Sequence, residues 1–210
     1  MFTGIAQSLV TLAGIGAFYL VDFVLMSRYD SERSDEESGR SWSFTLMALG
    51  MAAALIAQPV IFPDLSLVVD AWWGLLIQAA GVALITGGLL LDAWSRIHLK
   101  QFYAERVEVQ SDHQLIDTGP YAHIRHPFIT SIFMIVGGCF LVNPAIPTLL
   151  VAAYTLWDFG GAARQEEILL AETLSSYATY MNRTPRFLPD IRSNFRKWIG
   201  VDHHDNKPED

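Results

Sequence analysis

Residues 127–157 read PFITSIFMIVGGCFLVNPAIPTLLVAAYTLW and contain no charged side chain. A helix crossing a hydrocarbon core about 30 Å thick needs about 20 mostly apolar residues, so this run is too long for a single span. It breaks at Asn143–Pro147, where two prolines remove backbone donors and disfavour helix just before them. The stretch is therefore predicted to be a hairpin of two antiparallel helices. Its first arm, Phe128 to Val142, offers only about 15 apolar residues, or about 22 Å of helix. Either the bilayer thins locally around such an arm, or the arm begins below the membrane surface and draws Arg125 and His126 inward, where polar groups must line a cavity or find partners.

Working outward, Ser41–Pro63 and Ala71–Leu91 are also free of charge, and a first apolar segment covers about Gly4 to Met26. Half of the chain is apolar (51%) and only 17% is charged, against about 25% in soluble domains. These runs predict an all-α integral membrane protein with five transmembrane helices: about 4–26, 42–62, 71–94, and the two arms of the C-terminal hairpin. The first segment has no basic region before it and no small-residue cleavage site, so it reads as a retained helix. With five spans, all 14 Lys and Arg residues fall on one side. The positive-inside rule makes that side the cytoplasm, with the N-terminus outside and the C-terminus inside. The net charge of −8 does not oppose this assignment, because acidic residues count little in the rule. No nucleic-acid partner is expected. Ala79, Ala83 and Gly87, four apart, are expected to form a close helix contact. Cys139, the single cysteine, reads as a buried inert thiol. Asp22 and Asp92 read as snorkelling or capping residues near span ends.

Between the third span and the hairpin, 95–125 is too polar to cross a membrane. It carries a β-like alternation in VEVQSDHQ and a Gly119-Pro120 turn. Beyond the hairpin, AARQEEILLAETLSSYATY continues the helical pattern, with Leu169, Leu170, Leu174 and Tyr177 on one side. Antiparallel neighbours joined by a short turn lie side by side, so the Arg125-His126-Pro127 start and the Glu166-Glu167 pair should converge on one cytoplasmic pocket. Pro127 suits a first helical turn, and the helix N-terminus behind it would attract an anion. Adjacent glutamates point about 100° apart, so only one should face the pocket. After RTPRFLP (183–189), residues 190–201 read as an amphipathic interfacial helix and 202–210 as a disordered tail, in which His203 and His204 are solvated rather than metal-binding. The chain thus divides into 1–94 (three helices), 95–189 (linker, hairpin and extended helix), 190–201 and 202–210.

The motifs HQLIDTGPYAHIRHPFI, the Asn143-Pro144 turn, RQEEILL, the Tyr177/Tyr180 pair and RTPRFLP together resemble the isoprenylcysteine carboxyl methyltransferase family, which is related to membrane phospholipid N-methyltransferases. The resemblance covers about 96–189. It implies S-adenosylmethionine as methyl donor, bound in a cytoplasmic pocket, and an amphiphilic methyl acceptor that arrives from the lipid bilayer. Carried over by motif, the cofactor contacts would be His113, Leu115, Thr118, Gly119, Pro120, Tyr121, Arg125, His126, Pro127, Glu166 and Glu167, with Arg125, His126 and Glu167 closest to the chemistry; no metal is implied. Two departures bear on the acceptor. TLSSY replaces the glycine usual before the tyrosine pair, and Ala162 stands where an acceptor-associated arginine is common.

Plainer readings stand beside these. Arg125 alone would serve as a headgroup anchor, His126 as a structural histidine, the glutamates as a solvated helix face, and Tyr121, Tyr177 and Tyr180 as packing residues. A nicotinamide-dependent sterol-type reductase and a non-catalytic membrane accessory protein remain alternatives. No P-loop, paired-cysteine motif or HExxH is present, and GIGAFY lacks the third glycine of a dinucleotide fingerprint.

Overall fold

The computed structural model of the protein describes residues 3–29, 42–67, 72–99 and 115–190, with side chains described except at 26–29 and 42–48. Within them the chain forms six α-helices: α1 Ile5–Tyr29, α2 Trp42–Ile61, α3 Trp72–Leu99, α4 Pro127–Val142, α5 Ile146–Thr173 and α6 Tyr177–Arg183. Short 3-10 turns lie at Pro63–Leu65 and Gly119–Ala122. No strand occurs among the described residues, only an isolated bridge between Ser66 and Ala145. The expected β-like alternation, His113 and the expected interfacial helix and tail lie outside the described residues, apart from Asp190.

Ile5–Leu25 and Trp72–Leu99 are each long and apolar enough to cross a membrane, and Leu49–Ile61 and Pro127–Val142 are shorter apolar helices. The distribution of side chains is that of a surface facing an apolar medium. Trp72 is 83% exposed and Phe23 71%, whereas Asp92, Ser95 and Ser131 have no accessible surface. In water, the large apolar groups would be the ones sequestered.

The core of the bundle is the α3–α4 contact, around Ile85, Ile135, Cys139 and Val142. Gly74, Gly81 and Gly88, seven apart, lie on the buried face of α3. A methyl added at Gly138 of α4 would sit 2.6 Å from the Gly81 carbonyl and 2.6 Å from Ile85, and one at Gly81 would sit 2.8 Å from the Gly138 carbonyl. The small-residue stripe expected at Ala79, Ala83 and Gly87 is not this contact, since both alanines are exposed. The face is chosen by Gln78 and Asp92, which must be buried with partners and which share a side with Gly81 and Gly88. Because the obstruction at Gly138 is backbone, Gly138→Ala is expected to lose about 2 kcal/mol, within the usual range for overpacking, as measured by thermal unfolding in detergent.

Two polar clusters tie the helices at opposite ends. At the end with the Asn143 turn, the side-chain amides of Gln7 (α1) and Gln78 (α3) donate to the Val142 carbonyl at 3.2 and 3.0 Å. The Asn143 amide donates to Gln58 of α2, and Thr148 closes the turn onto the Asn143 carbonyl at 2.6 Å. At the other end, Arg96 of α3 pairs with Asp92 at 2.8 Å and with Asp22 of α1. Its guanidinium lies over the rings of Phe18 and Phe128, 5.5 and 4.7 Å from their centroids. Asp22 and Asp92 are therefore members of a buried ionic cluster, not snorkelling or capping groups. The reason is the i,i+4 placement of Arg96 beneath Asp92, which brings a cation inward to both.

One helix boundary differs from expectation. α5 ends at Thr173 with Leu174 in extended conformation, and the chain turns before α6. Leu169, Leu170 and Leu174 continue the apolar periodicity, but Tyr177 and Tyr180 reach their buried positions only after that turn.

Candidate functional site

α4 starts at Pro127 with His126 as its N-cap, as its sequence suggests. The segment 185–187 crosses the chain just before the helix, so that Arg125 and His126 N–H groups donate to the carbonyls of Pro185 and Arg186 at 2.9 and 3.1 Å. The Thr130 hydroxyl donates to the Phe187 carbonyl at 3.1 Å. The same returning segment is held twice more: the Tyr180 hydroxyl donates to the Tyr121 carbonyl at 2.6 Å, and Arg183 pairs with Asp117.

α5 continues past its apolar part and brings Glu166 and Glu167 beside this start. Glu167, 4% exposed, is the hub. His126 Nε2 lies 3.0 Å from its Oε1, Arg186 makes a forked pair with both oxygens, and Arg125 Nε lies 3.3 Å away. An ionised carboxylate only accepts, so His126 carries its proton on Nε2 and leaves Nδ1 with a lone pair. That Nδ1 is 3.5 Å from Glu166 Oε2. The Arg125 Nε has no hydrogen-bond partner despite its ion pair with Glu167, and it is fully buried.

These groups border a cavity of about 60 Å³. Arg125, His126 and Glu166 form its polar wall, Tyr121, Tyr177 and Tyr180 its aromatic wall, and Leu99, Leu115, Ile116, Leu170 and Leu174 its apolar wall. The Glu166 side chain is 42% accessible, yet it behaves as a buried group because the space it faces is this cavity. Glu167 is the reverse: it has little accessible surface because arginines cover it.

The electrostatics follow from these positions, all of which lie beyond the apolar part of the helices. Burial, with Glu167 adding to it, pushes the Glu166 carboxyl up to about 7. Burial alone would raise Glu167 too, but hydrogen bonds from Arg186 and His126 and the charge of Arg125 outweigh it and hold that carboxyl below its ordinary range. Burial lowers His126, more than Glu167 raises it, so the ring is neutral near pH 7. Burial also pushes Tyr180 up to about 12 and Tyr177 higher still.

Of the residues singled out from sequence, Leu115, Tyr121, Arg125, His126 and Glu166 border the cavity. Glu167 stands behind the wall, ion-paired. Thr118 is exposed, while Pro120 and Pro127 are buried. Gly119 has φ +58°, and a methyl there would lie 2.3 Å from the His98 ring. The space against Gly119, expected as a cofactor contact, is thus taken up by His98 of α3. Arg186 was missed. Its only signal is its place in RTPRFLP, one of the quoted motifs.

Comparison with known proteins bears on this arrangement. Residues 80–172, from α3 to near the end of α5, match the isoprenylcysteine carboxyl methyltransferase (ICMT) family model. The cobalt-zinc-cadmium resistance protein CzcN of Cupriavidus metallidurans is 28% identical over 113 residues, 53% of this chain and 47% of that protein. The nickel-cobalt-cadmium resistance protein NccN of Alcaligenes xylosoxydans xylosoxydans is 25% identical over 124 residues, 58% of this chain and 54% of that protein. The chain thus spans about half the length of these two relatives. The protein-S-isoprenylcysteine O-methyltransferase of Saccharomyces cerevisiae is 25% identical over 193 residues, 86% of this chain and 78% of that enzyme. The resemblance read from the motifs and the match over the α3–α5 segment agree: residues 80–172 are similar to the isoprenylcysteine carboxyl methyltransferase family.

Proposed function

We propose that the protein is an integral membrane methyltransferase that uses S-adenosylmethionine and acts on a small or lipid-like amphiphilic acceptor. In this reading α1 to α5 each cross the membrane, and the end carrying Arg125, Arg186 and the glutamates faces the cytoplasm. The carrying observation is that the Arg125 guanidinium and the Glu166 carboxyl, whose pKa burial raises, border one cavity. Such a pair suits a zwitterionic ligand. Arg125 would hold the cofactor's carboxylate and Glu166 its cationic portion, and the tyrosines and leucines would cover the adenosyl part.

When bound, S-adenosylmethionine supplies an electrophilic methyl group on a sulfonium. The chain's contribution is alignment and exclusion of water. Holding two reactants in line accounts for about 7–11 kcal/mol of barrier in favourable cases. The cavity, at about 60 Å³, is well below the roughly 300–1,000 Å³ of most ligand pockets. Its walls must therefore part on binding. The wall held by tethers rather than by helix packing is 174–187, so that segment is the one expected to move.

Calorimetry on the purified protein in mild detergent tests the reading. S-adenosylmethionine is expected to bind, and Arg125→Ala to weaken it about tenfold to hundredfold, the worth of a charge-assisted hydrogen bond. Binding of NADPH in its place, or of neither, contradicts the proposal. The acceptor is then sought by incubating the protein with radiolabelled S-adenosylmethionine and host lipid extract.

A further inference from the structure

Two arginines reach for one carboxylate beside the start of α4, and they are held differently. Oε1 of Glu167 takes His126 Nε2 at 3.0 Å and Arg186 Nε at 3.0 Å, while Oε2 takes Arg186 Nε at 3.1 Å and Arg186 Nη2. An ionised carboxylate offers about four lone-pair sites, so this one is full. Arg125 Nε stands 3.3 Å from Oε1 and makes no hydrogen bond to it. The charges attract, yet among the described residues the Arg125 side chain has no hydrogen-bond partner. It borders the cavity instead.

Arg186 holds the carboxylate because its backbone is fixed beside it. Thr184, ahead of Pro185, is extended (φ −121°, ψ 121°), as residues preceding proline usually are. The Pro185 and Arg186 carbonyls then accept the Arg125 and His126 N–H groups at 2.9 and 3.1 Å. A planar guanidinium set down at that point forks across both oxygens. Its side chain keeps 34% exposure, against 11% for Arg125, so it gives up less hydration to stay there.

We propose that Arg186 is a positioning residue: by occupying Glu167 it keeps the Arg125 guanidinium open to the anionic group of a bound ligand. The inference deepens the reading above, in which Arg125 holds the cofactor's carboxylate, and rests on it. Without Arg186 the lone pairs of Glu167 fall vacant, and Arg125, already 3.3 Å away, closes onto them. A buried arginine hydrogen-bonded to a buried acid has little to offer a second carboxylate, because the pair must first be parted at low dielectric. Arg186 does not border the cavity, so its effect on a ligand passes through Glu167 and Arg125.

S-adenosylmethionine and its decarboxylated analogue, which keeps the sulfonium and the amine, separate this role from a merely structural one. By calorimetry in mild detergent, Arg186→Ala is expected to weaken S-adenosylmethionine about tenfold, the loss of one charge-assisted hydrogen bond, and to leave the analogue within about twofold. In Glu167→Gln the same change at Arg186 should cost S-adenosylmethionine less than about twofold, since no charge is left to compete for. Arg186→Lys keeps the charge but cannot fork; it should lie between, and it carries the test if alanine unfolds the protein. A second measurement needs no cofactor. In proton–nitrogen spectra of the arginine Nε–H groups, the signal lost in Arg125→Lys belongs to Arg125, and Arg186→Ala should move it downfield as it bonds to Glu167. Equal weakening of both ligands, a full additive loss in Glu167→Gln, or an Arg125 signal left in place by Arg186→Ala overturns the inference. If the wild type binds neither ligand, the parent reading fails, and the spectra alone still decide whether Arg186 keeps Arg125 off Glu167.

Discussion

Replacing Arg96 by alanine is expected to cost about 3–5 kcal/mol, the usual loss when one partner of a buried ion pair is removed. Arg96 is 3% exposed and its Nε donates to an Asp92 carboxylate with no accessible surface. One oxygen of that carboxylate, Oδ2, already has no hydrogen-bond partner. Removing the guanidinium would leave Asp92 buried without its cation and take a cation from Asp22. It would also empty the space between the rings of Phe18 and Phe128, so packing is lost along with charge. Lysine cannot lie flat between two rings and fork toward two acids, so Arg96→Lys should fall between wild type and alanine. Adding Asp22→Asn and Asp92→Asn to Arg96→Met should recover part of the loss, because neutral groups need no buried counter-charge. Thermal unfolding in one detergent reads the series, and a loss under 1 kcal/mol for Arg96→Ala would contradict the account. Because Phe128 follows Pro127 directly, the variant should also loosen the start of α4 and with it the site.

The second large effect is expected at Glu167. Glu167→Ala removes the single acid on which Arg125, Arg186 and His126 converge. The loss should be about 3 kcal/mol, toward the lower end for a broken buried pair, because the Arg186 side chain keeps 34% exposure and can rehydrate. Glu167→Gln keeps the shape and should lose less stability, yet it should free the His126 ring to change tautomer. Both variants should bind S-adenosylmethionine at least tenfold more weakly, since Arg125 and His126 lose the partner that aims them. The pH dependence has a definite sign. The folded-state pKa of Glu167 is depressed, so its stabilisation is complete above the ordinary carboxylate range and fades as pH falls through that range and below. Unfolding of the wild type on acidification should therefore show a component absent from Glu167→Ala.

The fold was legible because the solvent of each helix is written into its composition. Uncharged runs and the Asn143-Pro147 break mark α2, α3 and the hairpin to within a few residues. The convergence of Arg125 and His126 with the glutamates was equally legible, since a short turn leaves antiparallel arms no other geometry. Rotation about a helix axis was not. Ala79-Ala83-Gly87 and Gly74-Gly81-Gly88 are both plausible stripes, and the choice depends on Gly138 and Cys139 of a different helix. The assignment of Glu166 to the cavity and Glu167 to the arginines is likewise a rotation set by the whole bundle. Asp92 and Arg96, four apart, were a visible signal for a pair, but Asp22 joins them only through the packing of α1. Arg186 was hidden for a similar reason: residues 185–187 matter because they pair with 125–126, a contact across the fold that no local pattern encodes.

The amide cluster around Val142 and Asn143 fixes one tip of the hairpin to α1, α2 and α3. α5 runs 28 residues from there, about 42 Å, with Glu166 and Glu167 near its far tip. It is a lever with its fulcrum clamped at the end of the bundle that carries the Asn143 turn. A tilt of about 5° would carry the far tip roughly 3–4 Å, enough to widen the cavity beside the glutamates. Small strains at the quiet face of the bundle would then be magnified where the chemistry is placed.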